Sequence, residues 1–317
     1  MTSFLNPAYI FNSVADDFVI NLSPSQILKS QVCMRSLGYY RAKVKPQATP
    51  QNLVFGSALH WVIEGFIKGY IDEADMEGLF ARKFHDLSVG KLISMAKSKS
   101  REVTEVIGKK LALQFPAFFN NLWLRPVIIE GAFKLEIGPN TFINLVIDFV
   151  GIAEKQIICP ETGKLLADIG DTIILDWKTA ATKEGRLFAR YSLQLTYYWE
   201  AVRLACQQLG LREPKLCGFA SGLKPNMTKL ESESLANAVW TPIQWTSRTP
   251  SDIEEAFDIA RGVAARIRRG EFPRESGAAY NSPCDSQSGR CDFAGVCLEG
   301  SLRGFRIPTG YTIADLV

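Results

Sequence analysis

Two carboxylates and a lysine lie in apolar stretches that are typical of buried strands. Asp148 has apolar residues on both sides, and Asp176 directly follows the run 173–175. Asp176 and Lys178 are two positions apart, so their side chains point to the same face of a strand. A lone carboxylate in a dry interior costs several kcal/mol and needs a cation or hydrogen-bond donors. If the two strands are neighbours, the carboxylates form a hard-oxygen site for Mg²⁺ or Mn²⁺.

These three residues also have an ordinary structural interpretation. Asp176 and Lys178 could form a surface salt bridge at a strand end, which is worth ~0–1 kcal/mol. Asp148 could be a strand-end carboxylate that accepts hydrogen bonds from backbone N–H groups. The sequence leaves both alternatives open.

Two pairs of polar residues stand at i and i+4, the spacing of neighbours on a helix face. His60 and Glu64 form the first pair, and a neutral imidazole can bind Mn²⁺ or donate to a metal-bound carboxylate. Gln194 and Tyr198 form the second pair and can hold a phosphate or the lysine. The alternatives are a packed or solvated His60 and a Tyr198 that only fills the core.

The cysteines form the sharpest pattern in the sequence. Cys284, Cys291 and Cys297 fall within 14 residues, and Cys33 lies far upstream on the first predicted helix. Four thiolates bind an iron–sulfur cluster or a zinc ion. The other three cysteines are interpreted as small buried hydrophobic residues in strands or helices: Cys159, Cys206 and Cys217.

Composition excludes several classes of protein. The chain has 317 residues, of which 47% are hydrophobic and 22% charged, so disorder, collagen and coiled coil are excluded. No apolar run reaches the ~18–20 residues of a membrane span. The net charge of +3 neither demands nor excludes a nucleic-acid partner. No basic residue precedes Lys29, so we expect no secretory signal and a reducing, cytoplasmic location.

The elements that must position these residues have a mixed α/β order, and we expect one domain, 1–317, with a mixed central sheet. The clearest local signal is a capping box, with Ser23 as N-cap, Pro24 in the first turn and Gln26 as partner. This helix is predicted to continue to about Tyr39. Other helices are predicted from near Ser57, at about 191–209 and at about 251–269. The segments are 20–72 (N-terminal helices with Cys33 and His60), 74–123 (helical insert), 126–246 (catalytic sheet, its last strand at 239–246) and 251–317 (C-terminal helix and cysteine cluster).

Taken together, the motifs resemble the PD-(D/E)XK nuclease superfamily. The branch they resemble is the RecB-like exonucleases with an iron–sulfur cluster, which include the AddB nuclease domain and the CRISPR adaptation nucleases. The gap between Asp148 and Asp176 is long, which indicates an insertion in the hairpin. The motifs that carry the resemblance are, in chain order, Leu22-Ser23-Pro24-Ser25, Cys33 with Tyr39-Tyr40-Arg41, Phe55 to His60, Ile147-Asp148, Leu175 to Thr179, Gln194 to Tyr198, and Cys291 to Cys297.

The resemblance implies a restriction-endonuclease-like fold and metal-dependent hydrolysis of DNA, on single strands or DNA ends. Asp148 and Asp176 would bind Mg²⁺ or Mn²⁺, assisted by His60 and the backbone carbonyl of Trp177. Lys178 would orient the attacking water or stabilise the developing charge. The residues that would position the scissile strand are Gln194 and Tyr198.

The resemblance also implies a structural [4Fe–4S] cluster on four cysteines: Cys33, Cys284, Cys291 and Cys297. Recombination, helicase or CRISPR adaptation proteins are the implied partners. Candidate DNA-binding cations are the stretch 97–110 and four arginines, unless they only solvate helix faces: Arg261, Arg266, Arg268 and Arg269. A different class stays open, namely a non-catalytic DNA-binding or scaffolding subunit that keeps the fold. A zinc-binding nucleic-acid module is a third interpretation.

Overall fold

The structure is a computed structural model that describes residues 17–94, 100–182, 185, 187–225, 235–274, 284–286 and 289–307. The predicted cations Lys97 and Lys99 lie outside these ranges. Within them, eight α-helices are present: α1 (Pro24–Val32), α2 (Met34–Arg41), α3 (Gln51–Ile67), α4 (Met76–Ser88), α5 (Arg101–Asn120), α6 (Leu193–Ala205), α7 (Pro250–Arg268) and α8 (Ala294–Glu299). None of the described helices combines the length and the apolar character needed to cross a bilayer.

Five strands carry most of the sheet: β5 (Leu124–Gly138), β6 (Thr141–Ala153), β9 (Thr172–Ala180), β10 (Pro214–Leu223) and β11 (Gln244–Thr246). The remaining strands are short: β1 (Ile20–Leu22), β2 (Lys45–Pro46), β3 (Thr49–Pro50), β4 (Ile93–Ser94), β7 (Ile157–Ile158), β8 (Leu165–Ala167), β12 (Asp285–Ser286), β13 (Gly289–Arg290) and β14 (Phe305–Arg306). The β7–β8 hairpin is the insertion predicted between Asp148 and Asp176.

The chain contains two compact units, while the domain expected over 1–317 stays a prediction. Unit 1 takes Met1–Ala48, Lys134–Asn144 and Glu254–Val317, and unit 2 takes Thr49–Phe133 and Leu145–Ile253. All four cysteines of the predicted cluster belong to unit 1. All the residues predicted to bind the catalytic metal belong to unit 2.

Unit 2 contains a mixed sheet with helices α3 to α6. β6 pairs with β9 antiparallel, β9 with β10 parallel, and β10 with β11 antiparallel, while β5 pairs with β6. β9 and β10 are almost continuously buried, which is typical of strands covered on both faces. The core is rich in aromatic rings, and Phe115 packs edge-on against Trp177 with 5.3 Å between ring centroids. Helix α3 buries Phe55, Leu59 and Val62 in this core.

Unit 1 has a smaller core. β1 pairs in parallel with the first residues of β6, from Ile20 against Thr141 to Leu22 against Ile143. The ring of Tyr39 lies 5.3 Å from the ring of Phe293 and is tilted by 36° to it, and a few small residues complete the cluster: Ala42, Val44, Val296 and Cys297.

Several element boundaries differ from the prediction. The capping box at Ser23 is present, but the first helix ends at Val32 and α2 begins after an extended Cys33 (φ −165°, ψ 119°). Helix α3 begins at Gln51 and not at Ser57. The prediction placed its start too late because the first turn is polar and has the composition of a loop. The strand predicted at 239–246 is reduced to β11, since Pro242 has no N–H for the ladder.

Candidate functional site

Successive side chains of β6 and β9 point to opposite faces of the sheet, which separates the core side chains from the polar ones. Phe149 and Trp177 both enter the core of unit 2, with their rings 5.7 Å apart. Their sequence neighbours Asp148, Asp176 and Lys178 therefore point to the opposite face of the sheet. The aromatic packing fixes the register of both strands and so fixes the carboxylates.

Asp148 and Asp176 lie on adjacent antiparallel strands, one residue beyond the Phe149–Leu175 pair. Asp148 is 8% exposed and Asp176 is 1% exposed. The backbone N–H of Trp177 donates to Asp148 Oδ2 at 2.9 Å. The side-by-side arrangement expected from the sequence is present, and it concentrates two buried negative charges.

Asp176 has three polar side chains around it. Lys178 Nζ lies 2.5 Å from Oδ2, so the salt bridge weighed as an alternative exists, but with a fully buried partner. Gln194 Nε2 donates to Asp176 Oδ1 at 2.9 Å and to the hydroxyl oxygen of Tyr198 at 2.7 Å. Tyr198 is itself hydrogen-bonded to Asp176. The Gln194/Tyr198 pair thus contacts a carboxylate as well as filling the core.

The first turn of α6 holds Gln194 in place, and Arg248 anchors that turn. Ser192 is the N-cap of α6 and accepts from the N–H of Leu195. Arg248, only 7% exposed, donates to Thr196 Oγ1 at 2.6 Å and to the carbonyl oxygens of Ala189 and Ser192.

His60 reaches Asp148 and the backbone of β9 from α3. Its Nε2 lies 2.9 Å from the carbonyl oxygen of Trp177, which accepts the ring N–H. Nδ1 then lies 3.6 Å from Asp148 Oδ2 and 3.9 Å from Glu130 Oε1. A carbonyl oxygen has two lone pairs, so the Trp177 carbonyl keeps one for another ligand. Fixing Nε2 as donor leaves Nδ1 as the nitrogen that can bind a metal.

Glu130 is a residue of this site that the sequence analysis missed. It lies on β5 with φ +55°, a left-handed conformation that costs a non-glycine residue about 1 kcal/mol. Such irregularities in a strand redirect a side chain. The signal was available, because Glu130 ends the apolar run 127–129 on the strand that forms a hairpin with β6.

Burial and like charges shift the pKa values of this group. Burial, followed by the charge of Asp176, raises the pKa of Asp148 to about 7, although His60 and Lys178 oppose the shift. Burial lowers the pKa of His60, but Glu130, Asp148 and Asp176 outweigh it and the net shift is upward. Burial and the two aspartates raise the pKa of Tyr198, so it remains a neutral hydroxyl. The group has excess negative charge and therefore suits a cation.

One set of donors fits a metal directly. His60, Glu130 and Asp148 offer one ligand atom each, all within 4.8 Å of one another. One imidazole nitrogen with carboxylate oxygens suits Mn²⁺, and the carboxylates suit Mg²⁺. Asp176 is not in this tight set, although it lies beside Asp148.

The cysteine region in unit 1 is built from short elements. Cys33 is exposed by 8% and stands at the break between α1 and α2, while Cys297 is exposed by 8% on α8. The Cys291 N–H donates to the Cys284 carbonyl oxygen at 3.0 Å. Burial raises the pKa of Cys291, and the thiols of Cys284 and Cys33 raise it further, so these three sulfurs are neighbours. Cys297 is hydrogen-bonded to Tyr39.

The structure also shows the surroundings of the other cysteines. All seven cysteines are described and none forms a disulfide. Cys206 and Cys217 are buried as predicted, but Cys159 is half exposed, because it follows β7 in a turn.

Most of the cations proposed for DNA binding already have partners. Arg261 contacts Glu254 and Asp258, Arg269 contacts Glu271, and Lys109 contacts Glu77. Lys110 and Arg268 bond to backbone oxygens, and Arg101 Nη2 lies 3.0 Å from His85 Nδ1. These contacts do not test DNA binding, which stays a prediction for these residues.

Comparisons with known proteins bear on the same site. No curated protein matches the chain. A crystal structure from Eubacterium rectale named "Putative exonuclease" is 12% identical over 95% of this chain and 93% of that chain, with a TM-score of 0.47, too low to carry a conclusion. The family model of the PD-(D/E)XK nuclease superfamily matches residues 21–298, and nucleases of this superfamily use divalent metals. The chain therefore belongs to the PD-(D/E)XK nuclease superfamily.

Proposed function

We propose that the protein is a divalent-metal-dependent DNA nuclease of the RecB-like exonuclease type, acting on single-stranded DNA or DNA ends. The observation that carries the proposal is the convergence of three carboxylates, an imidazole and an ammonium around Asp148 on β6 and Asp176 on β9. Two of the carboxylates are more than nine-tenths buried. A purely structural ion pair would not need this excess of negative charge in the interior.

Each residue has a role that follows from its contacts. His60, Glu130 and Asp148 would hold a Mg²⁺ or Mn²⁺ ion, with Asp176 and the Trp177 carbonyl completing the site. When bound, the ion supplies a Lewis acid for water activation and neutralises phosphate charge. Lys178 would orient the attacking water and stabilise the developing charge. Gln194 and Tyr198 would hold Asp176 in position.

The test is incubation of the protein with end-labelled linear and with circular DNA, single- and double-stranded, plus Mg²⁺ or Mn²⁺. We expect metal-dependent degradation of linear single strands, and little loss of the circles. Cleavage that persists in EDTA, or no cleavage of any substrate, would contradict the proposal. In the second case the non-catalytic DNA-binding or scaffolding subunit becomes the better interpretation.

We also propose a structural [4Fe–4S] cluster on the thiolates of Cys33, Cys284, Cys291 and Cys297. Four thiolates are what such a cluster takes, one for each iron. They also suit a tetrahedral zinc ion, so metal analysis must separate the two.

The cluster has a direct assay. Protein purified without oxygen should be brown and contain iron and inorganic sulfide. Zinc in place of iron would contradict the proposed iron–sulfur cluster but support the cross-link between the cysteines. A colourless, metal-free protein of full stability would contradict both.

A further inference from the structure

A cavity of about 510 Å³ adjoins the candidate metal site in unit 2. It lies against α3 and α4, and both His60 and Glu130 line it. Since two members of the metal-binding set form part of its wall, anything bound in the cavity lies next to the metal. The volume is within the range of sites that take a small organic group.

The most prominent apolar side chain in this wall is Trp61, the residue after His60. It is 38% exposed. The ammonium of Lys83, on α4, lies 4.7 Å from the centroid of the indole ring. Proteins hold single-stranded nucleic acid with aromatic rings that stack on bases and with cations that meet phosphates. A base that stacks on this face of Trp61 would move the ammonium from the ring to the phosphate.

The other charges in the cavity do not oppose an anion at Lys83. Glu64 also lines it, but Lys68 Nζ lies 2.5 Å from its Oε1. Glu130 is directed to His60. Lys83 forms no salt bridge with a carboxylate in the described part of the chain, so its charge is available to a ligand.

We propose that this cavity is a nucleotide subsite, in which a base of the substrate strand stacks on Trp61 while Lys83 contacts its phosphate. The inference rests on the proposed nuclease function and narrows its substrate to an unpaired strand, because a base inside a duplex cannot leave the stack without cost. The subsite would fix the strand relative to His60 and the scissile phosphate.

The test is equilibrium binding of a fluorescent single-stranded 12-mer in Ca²⁺, with a set of oligonucleotides that each carry one abasic residue. Trp61→Ala should weaken binding about tenfold, as the loss of one stacked base does. The wild-type protein should lose a similar factor of affinity when one particular position of the oligonucleotide is abasic. The affinity of Trp61→Ala should not change when that base is removed. Trp61→Phe should restore most of the affinity.

Trp123 offers a matched control. It is 53% exposed, and Lys155 lies 5.7 Å from its ring, but it does not line the cavity. Trp123→Ala should bind like the wild type and keep the abasic profile. If Trp61→Ala is poorly folded, Lys83→Gln replaces it in the experiment. This variant should lower the slope of log affinity against log salt concentration by about one.

The outcomes separate the subsite from the nuclease activity. If Trp61→Ala and Trp123→Ala bind equally and share one abasic profile, the subsite is wrong although cleavage remains. If the wild type binds with one Trp61-dependent abasic position but does not cleave, the subsite stands and the nuclease proposal fails. If no single-stranded DNA binds, the subsite is wrong.

Discussion

The metal site in unit 2 and the cysteine region in unit 1 are built in opposite ways. In unit 2 the functional side chains lie on long elements whose other face is locked by aromatic packing, such as Phe149 against Trp177. In unit 1 the thiols lie at a helix break, in a turn and on a six-residue helix, around a small core.

In one unit the fold would position the ligand residues, and in the other the bound group would stabilise the fold. The fold of unit 2 holds its carboxylates close together at an electrostatic cost, and a bound metal would relieve that cost. In unit 1 the bound group would itself hold together the short elements that carry the thiols. Removing a ligand should therefore impair activity in unit 2 and stability in unit 1.

The largest effect is expected in unit 2. Asp176→Ala should reduce cleavage by roughly 10³-fold, since a metal centre contributes several kcal/mol of transition-state stabilisation. Asp148→Asn should behave alike. Both variants should remain folded, because each removes a ligand rather than core. Near-normal cleavage in either variant would show that the assigned site is wrong.

In unit 1 the matching substitution is Cys33→Ala. It should lose the cluster and destabilise the protein by about 5 kcal/mol, the loop-entropy value for a cross-link spanning some 250 residues. Denaturant unfolding, with iron and sulfide analysis, measures both effects. Cys206→Ala is the control, because Cys206 is equally buried at 7% exposure but outside the four. Equal stabilities for the two variants would contradict the comparison.

Smaller losses should follow changes at the edge of the metal site. His60→Ala and Glu130→Gln should each lower metal affinity by about 10- to 100-fold and alter the preference between Mg²⁺ and Mn²⁺. Titration of activity against each metal measures this. Glu64→Gln is the control for Glu130, since its carboxylate pairs with Lys68. Unchanged kinetics with both metals would return His60 to the role of a packed histidine.

Metal binding should also depend on pH, because the pKa of Asp148 is raised to about 7 by burial and by Asp176. The proton must leave before a cation binds, so metal affinity should fall by up to about tenfold per pH unit below 7. Asp176→Asn should move this dependence to lower pH.

Without metal, the folded state binds this proton more tightly than the unfolded state. Metal-free stability should therefore fall, relative to Asp148→Asn, as pH rises from about 4 to 7. A pH-independent affinity would contradict this.

Much of the site could be predicted because its geometry is local. The alternation of β9 placed Asp176 and Lys178 on one face, and helical spacing paired Gln194 with Tyr198. Glu130 was missed because its positive φ breaks the alternation of β5. The helix break at Cys33 left no signal in the periodicity. The partners of Arg261 and Arg268 come from tertiary contacts that composition does not show.

The most direct measurement is the anomalous difference map of a crystal soaked in Mn²⁺. We expect a peak bounded by His60 Nδ1 and the carboxylates of Glu130 and Asp148, and its loss in crystals of Asp148→Asn. A protein that cleaves DNA with Mn²⁺ but has its manganese elsewhere, or bound equally in Asp148→Asn, would contradict the account of this site.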